Sequence, residues 1–63
     1  MKKLNHKREA KRILEDILEE FSSIEVSAMT EQQAQETVEG YSFDEEDTKK
    51  IAAHLFKLAQ LIQ

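Results

Sequence analysis

The sequence predicts an all-α fold, in which two long helices joined by a short middle helix form an antiparallel hairpin that packs as a homo-oligomeric bundle. Pro is absent and Gly occurs once, so little in the chain interrupts helices. Two stretches carry apolar residues at alternating spacings of four and three, separated by polar segments typical of helix starts. With 63 residues, the chain is expected to form one domain without a large internal cavity.

The first long helix is predicted over about residues 8–27. Val26 lies off its apolar face, and three serines between residues 22 and 27 weaken the helix toward its end. Before about residue 8 the apolar face continues into polar residues, which predicts fraying. The apolar seam itself consists of Ala10, Leu14, Ile17, Phe21, Ile24 and Ala28.

The short middle helix is predicted over about residues 31–39. Thr30 and Gln33 have the spacing of a capping box, in which each side chain bonds the backbone amide of the other residue. Gly40 follows the helix, where a left-handed terminating residue is expected.

The last long helix is predicted over about residues 43–62. Ser42 and Glu45 have the spacing of a second capping box, and the acidic residues 44–47 suit the positive end of the helix dipole. Its apolar arc covers roughly 220°, wider than the stripe of about 100° that one helix contact requires. The extra width indicates a second surface that covers it.

Self-association is expected because the chain is short and contains no cysteine, so no disulfide stabilises it. We therefore predict a homodimer that also binds an unidentified protein. The residues predicted to form the oligomer or partner interface share the apolar faces of the long helices: Leu14, Ile17, Phe21, Ile24, Ile51, Leu55, Phe56, Leu58 and Ile62.

Charge is divided unevenly along the chain. The basic segment, residues 1–12, carries six cations and one acid, a net of +5, whereas the remaining residues carry three cations and twelve acids, a net of −9. The segment has no aromatic residue for base stacking. It is interpreted either as a solvated terminus or as a set of phosphate contacts for RNA or DNA. The candidate phosphate contacts are Lys3, Lys7, Arg8, Lys11 and Arg12.

Other functional classes lack support in the sequence. A DNA-binding helix-turn-helix is disfavoured because the would-be recognition helix begins with the acids of residues 44–47. His6 and His54 are far apart in sequence and have no ligand-type partner at helical spacing, so no metal site is predicted. No nucleophile, base and orienting acid can be assembled, so we predict no enzyme activity, cofactor or small-molecule substrate. Cations interrupt the start where a signal peptide needs apolar residues, and no membrane span is found, which favours a cytoplasmic protein.

Residues 35–40, Gln-Glu-Thr-Val-Glu-Gly, resemble a helix-end motif of small helical antitoxins that silence Fic-type adenylylating toxins. That motif reads Ser/Thr-x-x-x-Glu-Gly, and the resemblance implies that Glu39 is the inhibitory residue. Gln35 stands where the motif has a hydroxyl residue, and the match covers only these six residues, so we treat it as a coincidence.

These observations favour a small non-enzymatic helical protein-interaction module: a dimeric regulator, inhibitor or antitoxin-like protein that binds a protein partner. The alternative is an RNA- or DNA-binding helical hairpin that uses the basic segment. In size and helix plan this alternative resembles the small plasmid RNA-binding helical hairpins.

Overall fold

The computed structural model describes residues 4–62, and this part of the chain is all-helical, as the sequence predicts. Its four helices are α1 (His6–Glu20), α2 (Ser23–Ser27), α3 (Glu31–Glu39) and α4 (Glu45–Gln60). Within residues 4–62, none of the helices combines the length and the apolar character that crossing a membrane requires.

Helix α1 begins earlier than predicted, at His6 instead of about residue 8. Asn5 is the N-cap, and the backbone amide of Arg8 donates a hydrogen bond of 3.1 Å to its side-chain oxygen. This bond satisfies a backbone donor that has no partner within the helix. The cap therefore fixes the first turn, including part of the basic segment, where fraying was expected.

The predicted single helix over residues 8–27 is divided in the structure into α1 and α2. Phe21 is extended, with φ −122° and ψ 153°, and Ser22 opens a new helix. The cause is a capping box: the amide of Glu25 donates to Ser22 Oγ, and the amide of Ser22 donates to Glu25 Oε1, both at 3.3 Å. These local bonds stabilise a helix start where the apolar spacing predicted a continuous helix.

Helix α3 has the predicted bounds, and both bonds of its capping box are present. The amide of Gln33 donates to Thr30 Oγ1 at 3.1 Å, and the amide of Thr30 donates to Gln33 Oε1 at 3.0 Å. The expectation of a left-handed Gly40 is wrong, since this residue is right-handed helical with φ −67°. Ser42 takes the left-handed conformation instead, with φ 63°.

The left-handed backbone of Ser42 also removes it from the capping role that its spacing to Glu45 predicted. Asp44 is the N-cap of α4, without a side-chain capping bond, and the helix runs over Glu45–Gln60 instead of about 43–62. Its first turn still contains Glu45, Glu46 and Asp47, whose charges favour the positive end of the helix dipole.

Helix α4 is the centre of the fold, because α1 and α3 both pack against it and α2 makes a smaller contact with it. All four helices contribute to one core. The buried apolar residues are Ala10, Ile13, Leu14, Ile17, Val26, Ala34, Val38, Ile51, Ala52, Leu55 and Ala59. Six half-buried apolar residues pack around them: Leu4, Met29, Phe43, Phe56, Leu58 and Ile62.

The starts of α1 and α4 meet, because His6 Nε2 lies 2.8 Å from Asp47 Oδ1. If the two helices paired antiparallel over their whole length, His6 would lie opposite the end of α4. The predicted full-length hairpin therefore does not account for this contact. A second polar contact, between Tyr41 Oη and Asp16 Oδ2 at 3.2 Å, joins the turn before α4 to the later part of α1.

A candidate protein-docking groove

The chain's own fold divides the predicted interface residues into three groups. Leu14, Ile17, Ile51 and Leu55 are buried in the core. Phe56, Leu58 and Ile62 are half-buried around it. Phe21 and Ile24 are exposed by 48% and 78% of their surface. The largest apolar exposure of the predicted set thus lies at the break between α1 and α2, and self-association stays a prediction.

An open groove of about 530 Å³ lies beside this break. Residues from the end of α1, from α2, from α3 and from the turn before α4 line it. Its apolar lining comprises Ile17, Phe21, Val26 and Met29, with the ring of Tyr41. We call this feature the acidic groove because of the side chains described next.

Four carboxylates line the acidic groove: Asp16, Glu20, Glu25 and Glu36. The other polar lining residues are Gln33 and Thr37, so neither lysine nor arginine is part of the lining. Among residues 4–62, the ion pairs join His6 to Asp47, Lys49 to Glu45 and Lys50 to Glu46, and none involves a carboxylate of the groove. The groove is therefore apolar in its lining and negative in its charge.

The helix break positions Phe21 in the groove. The amide of Phe21 still donates to the Ile17 carbonyl, at 2.8 Å, so it is the last residue held by the hydrogen bonds of α1. Its extended backbone then redirects the chain into α2. Val26 is thereby brought into the core, where it is only 1% exposed, and Phe21 stays half-exposed at the surface.

Tyr41 is held in the groove by two contacts. Its hydroxyl donates to Asp16 Oδ2, and its ring stacks on Phe43 with 6.2 Å between the ring centroids. Burial raises the pKa of the Tyr41 phenol above its ordinary value of 10.0, and the hydrogen bond and charge of Asp16 with the charge of Glu20 raise it further. Arg12 acts in the opposite direction and lowers this pKa.

Titration of Tyr41 gives a direct test of the negative field in the groove. The protein has one tyrosine and no tryptophan, so its phenolate absorbance reports this residue alone. We expect a midpoint above 10.0 and a lower midpoint in Asp16→Asn. Because the folded-state pKa is raised, this group stabilises the fold fully below the unfolded pKa and loses that effect as the pH rises through the folded pKa. A native midpoint at or below 10.0 would contradict the described contact.

The predicted phosphate contacts that the structure describes are not among the lining residues of the groove, although the charge of Arg12 is close enough to lower the pKa of Tyr41. Lys3 is outside the described residues, whereas Lys7, Arg8, Lys11 and Arg12 are exposed on α1. Within the described part of the chain, none of these four makes an ion pair. Their spacing places them within roughly 140° of the α1 surface.

The structure brings the two histidines to the same depression, although they are far apart in sequence. His54 lines a shallow depression together with residues 4–7, which include His6. In residues 4–62, no group of three or more His, Asp or Glu side chains is placed to hold a metal ion. His6 instead contacts Asp47, which joins the starts of the two long helices.

Sequence reasoning missed Val26, Met29 and Tyr41 as lining residues of one groove. The available signal was the Ser22-x-x-Glu25 spacing, which is as good a capping box as the one that correctly marked the start of α3. Reading it would have divided the first long helix and moved Phe21 out of the continuous seam.

Comparison of the chain with protein-family models, with curated proteins and with solved structures finds no match.

Proposed function

We propose that this chain is a non-enzymatic protein-interaction module, a small regulator, inhibitor or antitoxin-like protein that binds its partner through the acidic groove. The observation that carries the proposal is the half-exposed ring of Phe21 at the break between α1 and α2, with buried Ile17 and Val26 in the same lining. Aromatic side chains in apolar depressions are the residues that most often dominate the energy of protein interfaces.

The local capping bonds of Ser22 direct Val26 inward and leave Phe21 at the surface. A contiguous apolar surface rimmed by polar groups is typical of interaction sites, and Phe21 shares the lining of the groove with Met29 and the ring of Tyr41. A second copy of the chain, as in the predicted homodimer, is one partner that this proposal includes.

The test is a display selection of helical peptides against the native chain, followed by affinity measurements on two variants. Phe21→Ser removes the aromatic anchor, and we expect it to weaken the selected peptides by about thirtyfold, as loss of a central aromatic contact does. Ile24→Ser is the matched control: Ile24 is close in sequence and even more exposed, yet it does not line the groove. We expect its affinity to stay within about twofold of the native chain.

Circular dichroism shows whether both variants keep the native helix content, which we expect because neither side chain is in the core. Peptides that bind the native chain and Phe21→Ser equally would place the site elsewhere. A greater loss in Ile24→Ser than in Phe21→Ser would also contradict the groove as the site.

A second candidate function is nucleic-acid binding, and the observation that favours it is the exposed, unpaired cationic side of α1 within the described residues. Cations near a helix start oppose the helix dipole, so their placement has a small cost unless an anion is bound. Removing residues 1–9 is a poor test, because it would also remove the Asn5 cap and the His6 contact. Substitutions on the α1 surface avoid this problem.

We expect Arg8→Gln with Arg12→Gln to weaken binding of a labelled RNA hairpin and to reduce the salt dependence of its affinity by about two charges. Lys49→Gln with Lys50→Gln is the control, since it removes the same charge from exposed positions of α4. Fluorescence anisotropy across a salt series measures both effects. Equal weakening in the two double variants, or no RNA binding by the native chain at low salt, would contradict this candidate.

A further inference from the structure

The acidic groove lies between α1 and α3, which both pack against α4. Helices α1 and α3 each pack extensively against α4, and they make little direct contact with each other. The end of α1 forms one wall of the open groove, and α3 with the turn after it forms the other; the two walls are joined where Tyr41 Oη donates to Asp16 Oδ2. Gln33, Thr37 and Tyr41, spaced by four, line one wall, whereas Asp16 and Glu20, also spaced by four, line the other.

This geometry fits a helix better than an extended strand. The helical part of this wall, from Gln33 to the end of α3 at Glu39, is roughly 9 Å long at 1.5 Å per residue, which is somewhat under two helical turns. Residues spaced by four form ridges on a helix, and helices pack by placing such ridges into the grooves of a neighbour. Among residues 4–62 there is also no strand whose edge an extended peptide could join.

The negative charge of the groove further restricts which kind of partner helix can bind there. Asp16 accepts a hydrogen bond from Tyr41, Glu25 accepts its capping bond, and Glu36 accepts a bond from Gln32. These neutral donors leave the four negative charges in place, and no lysine or arginine of the described residues pairs with them. A partner that brings cations would relieve the repulsion among them, whereas an acidic partner would increase it.

We propose that the occupant of the acidic groove is a cationic amphipathic helix of a partner protein. This inference rests on the proposed function and specifies its partner. Apolar side chains one turn apart contact Phe21 and the apolar lining around it, and flanking lysine or arginine side chains pair with Glu20 and Glu36 on opposite walls. The partner helix lies along the groove beside Phe21, as a fifth helix against the four that residues 4–62 form.

A second copy of this chain fits the groove less well than such a partner. The cations of α1 are the chain's own basic helical surface, but the apolar side of that helix, including Ala10 and Ile13, is buried in its own core. The basic surface would therefore enter the groove without apolar anchors. Self-association through the groove is an outcome that the experiment detects.

The experiment uses three synthetic amphipathic helices with the same leucine positions and with lysine, glutamine or glutamate at the flanking positions. We expect the lysine peptide to bind the native chain at least about tenfold more tightly than the glutamine peptide, and the glutamate peptide not to bind. Higher salt should weaken the lysine peptide more than the glutamine peptide. Isothermal titration calorimetry measures these affinities.

Matched charge variants locate the effect. Glu20→Gln with Glu36→Gln removes one carboxylate from each wall, and we expect it to weaken the lysine peptide by about tenfold. Glu15→Gln with Glu19→Gln removes the same charge from exposed positions of α1 that do not line the groove, and its affinity should stay within about twofold. Equal weakening in both would show that net charge alone attracts the peptide and would overturn the inference.

Other outcomes separate this inference from the proposed function. If the glutamine and lysine peptides bind equally and Phe21→Ser abolishes both, the groove is a docking site but its preference for cations is refuted. If the lysine peptide binds Phe21→Ser as well as the native chain, both proposals fail, because binding does not use the groove. If sedimentation equilibrium shows a native dimer that Phe21→Ser dissociates, a second copy is the occupant and the cationic partner is refuted.

Discussion

Replacing Leu55 with Asp is expected to unfold the chain. Leu55 is fully buried in the middle of α4, the helix against which the other helices pack. An unpaired carboxylate at this position costs several kcal/mol, or must bind a proton to be buried. A domain of this size has a free energy of unfolding of only about 5 kcal/mol. We therefore expect loss of the helical circular dichroism signal and of the cooperative thermal transition near neutral pH.

Ala53→Asp provides the control for this substitution. Ala53 is exposed, lies two residues away on the same helix and gains the same charged side chain. Its expected cost is the lower helix propensity of Asp, about 0.7 kcal/mol, and the fold should persist. A Leu55→Asp chain that melts like the native protein, whether monomeric or associated, would contradict the central position of Leu55 in the core.

Val26→Ala is expected to destabilise the protein by about 2 kcal/mol, because it removes two buried methyl groups and leaves a cavity. Ile24→Ala should change the free energy of unfolding by less than about 0.5 kcal/mol, since its side chain is mostly in solvent. The continuous helix predicted from the sequence would give the opposite result, with a larger loss of stability in Ile24→Ala than in Val26→Ala. Urea unfolding followed by circular dichroism measures both values on the same scale.

This pair of variants tests the helix break directly. If α1 continued unbroken through Ile24, the isoleucine would be the buried residue and its truncation the costly one. A larger loss of stability in Ile24→Ala than in Val26→Ala would therefore refute the break at Phe21 and, with it, the acidic groove.

The elements that sequence predicted well are those that neighbouring residues determine. The start of α3 depends on Thr30 and Gln33, which bond each other's backbone across three residues. The all-helical class depends on apolar spacing over long stretches, and Leu14, Ile17, Ile51 and Leu55 from those seams are indeed buried. They lie in the core of the single chain, and self-association through other apolar residues of these faces stays a prediction.

The sequence-based predictions fail where two local patterns favour different structures, or where residues distant in the sequence come into contact. At residues 21–25 the apolar spacing favoured one helix and the capping box favoured a new one, and periodicity alone does not weigh the two. At Ser42 a plausible cap was overruled by the turn geometry that joins α3 to α4. The contacts of His6 with Asp47 and of Tyr41 with Asp16 depend on how the helices cross, which spacing within one helix does not encode.

The turn between α3 and α4 places the only glycine of the chain two residues before the position that would use it. Ser42 adopts a left-handed backbone, which costs a residue with a side chain about 1 kcal/mol relative to glycine. Gly40 is right-handed, and a Cβ added there would meet its nearest neighbour, the Thr37 carbonyl oxygen, at 3.4 Å. The folded chain does not use the conformational freedom of Gly40, so this glycine mainly increases the entropy of the unfolded chain. Replacing Gly40 with alanine and Ser42 with glycine is therefore expected to make this connection more stable, and neither position belongs to the core or lines the groove, so the native sequence is less stable at this turn than it could be.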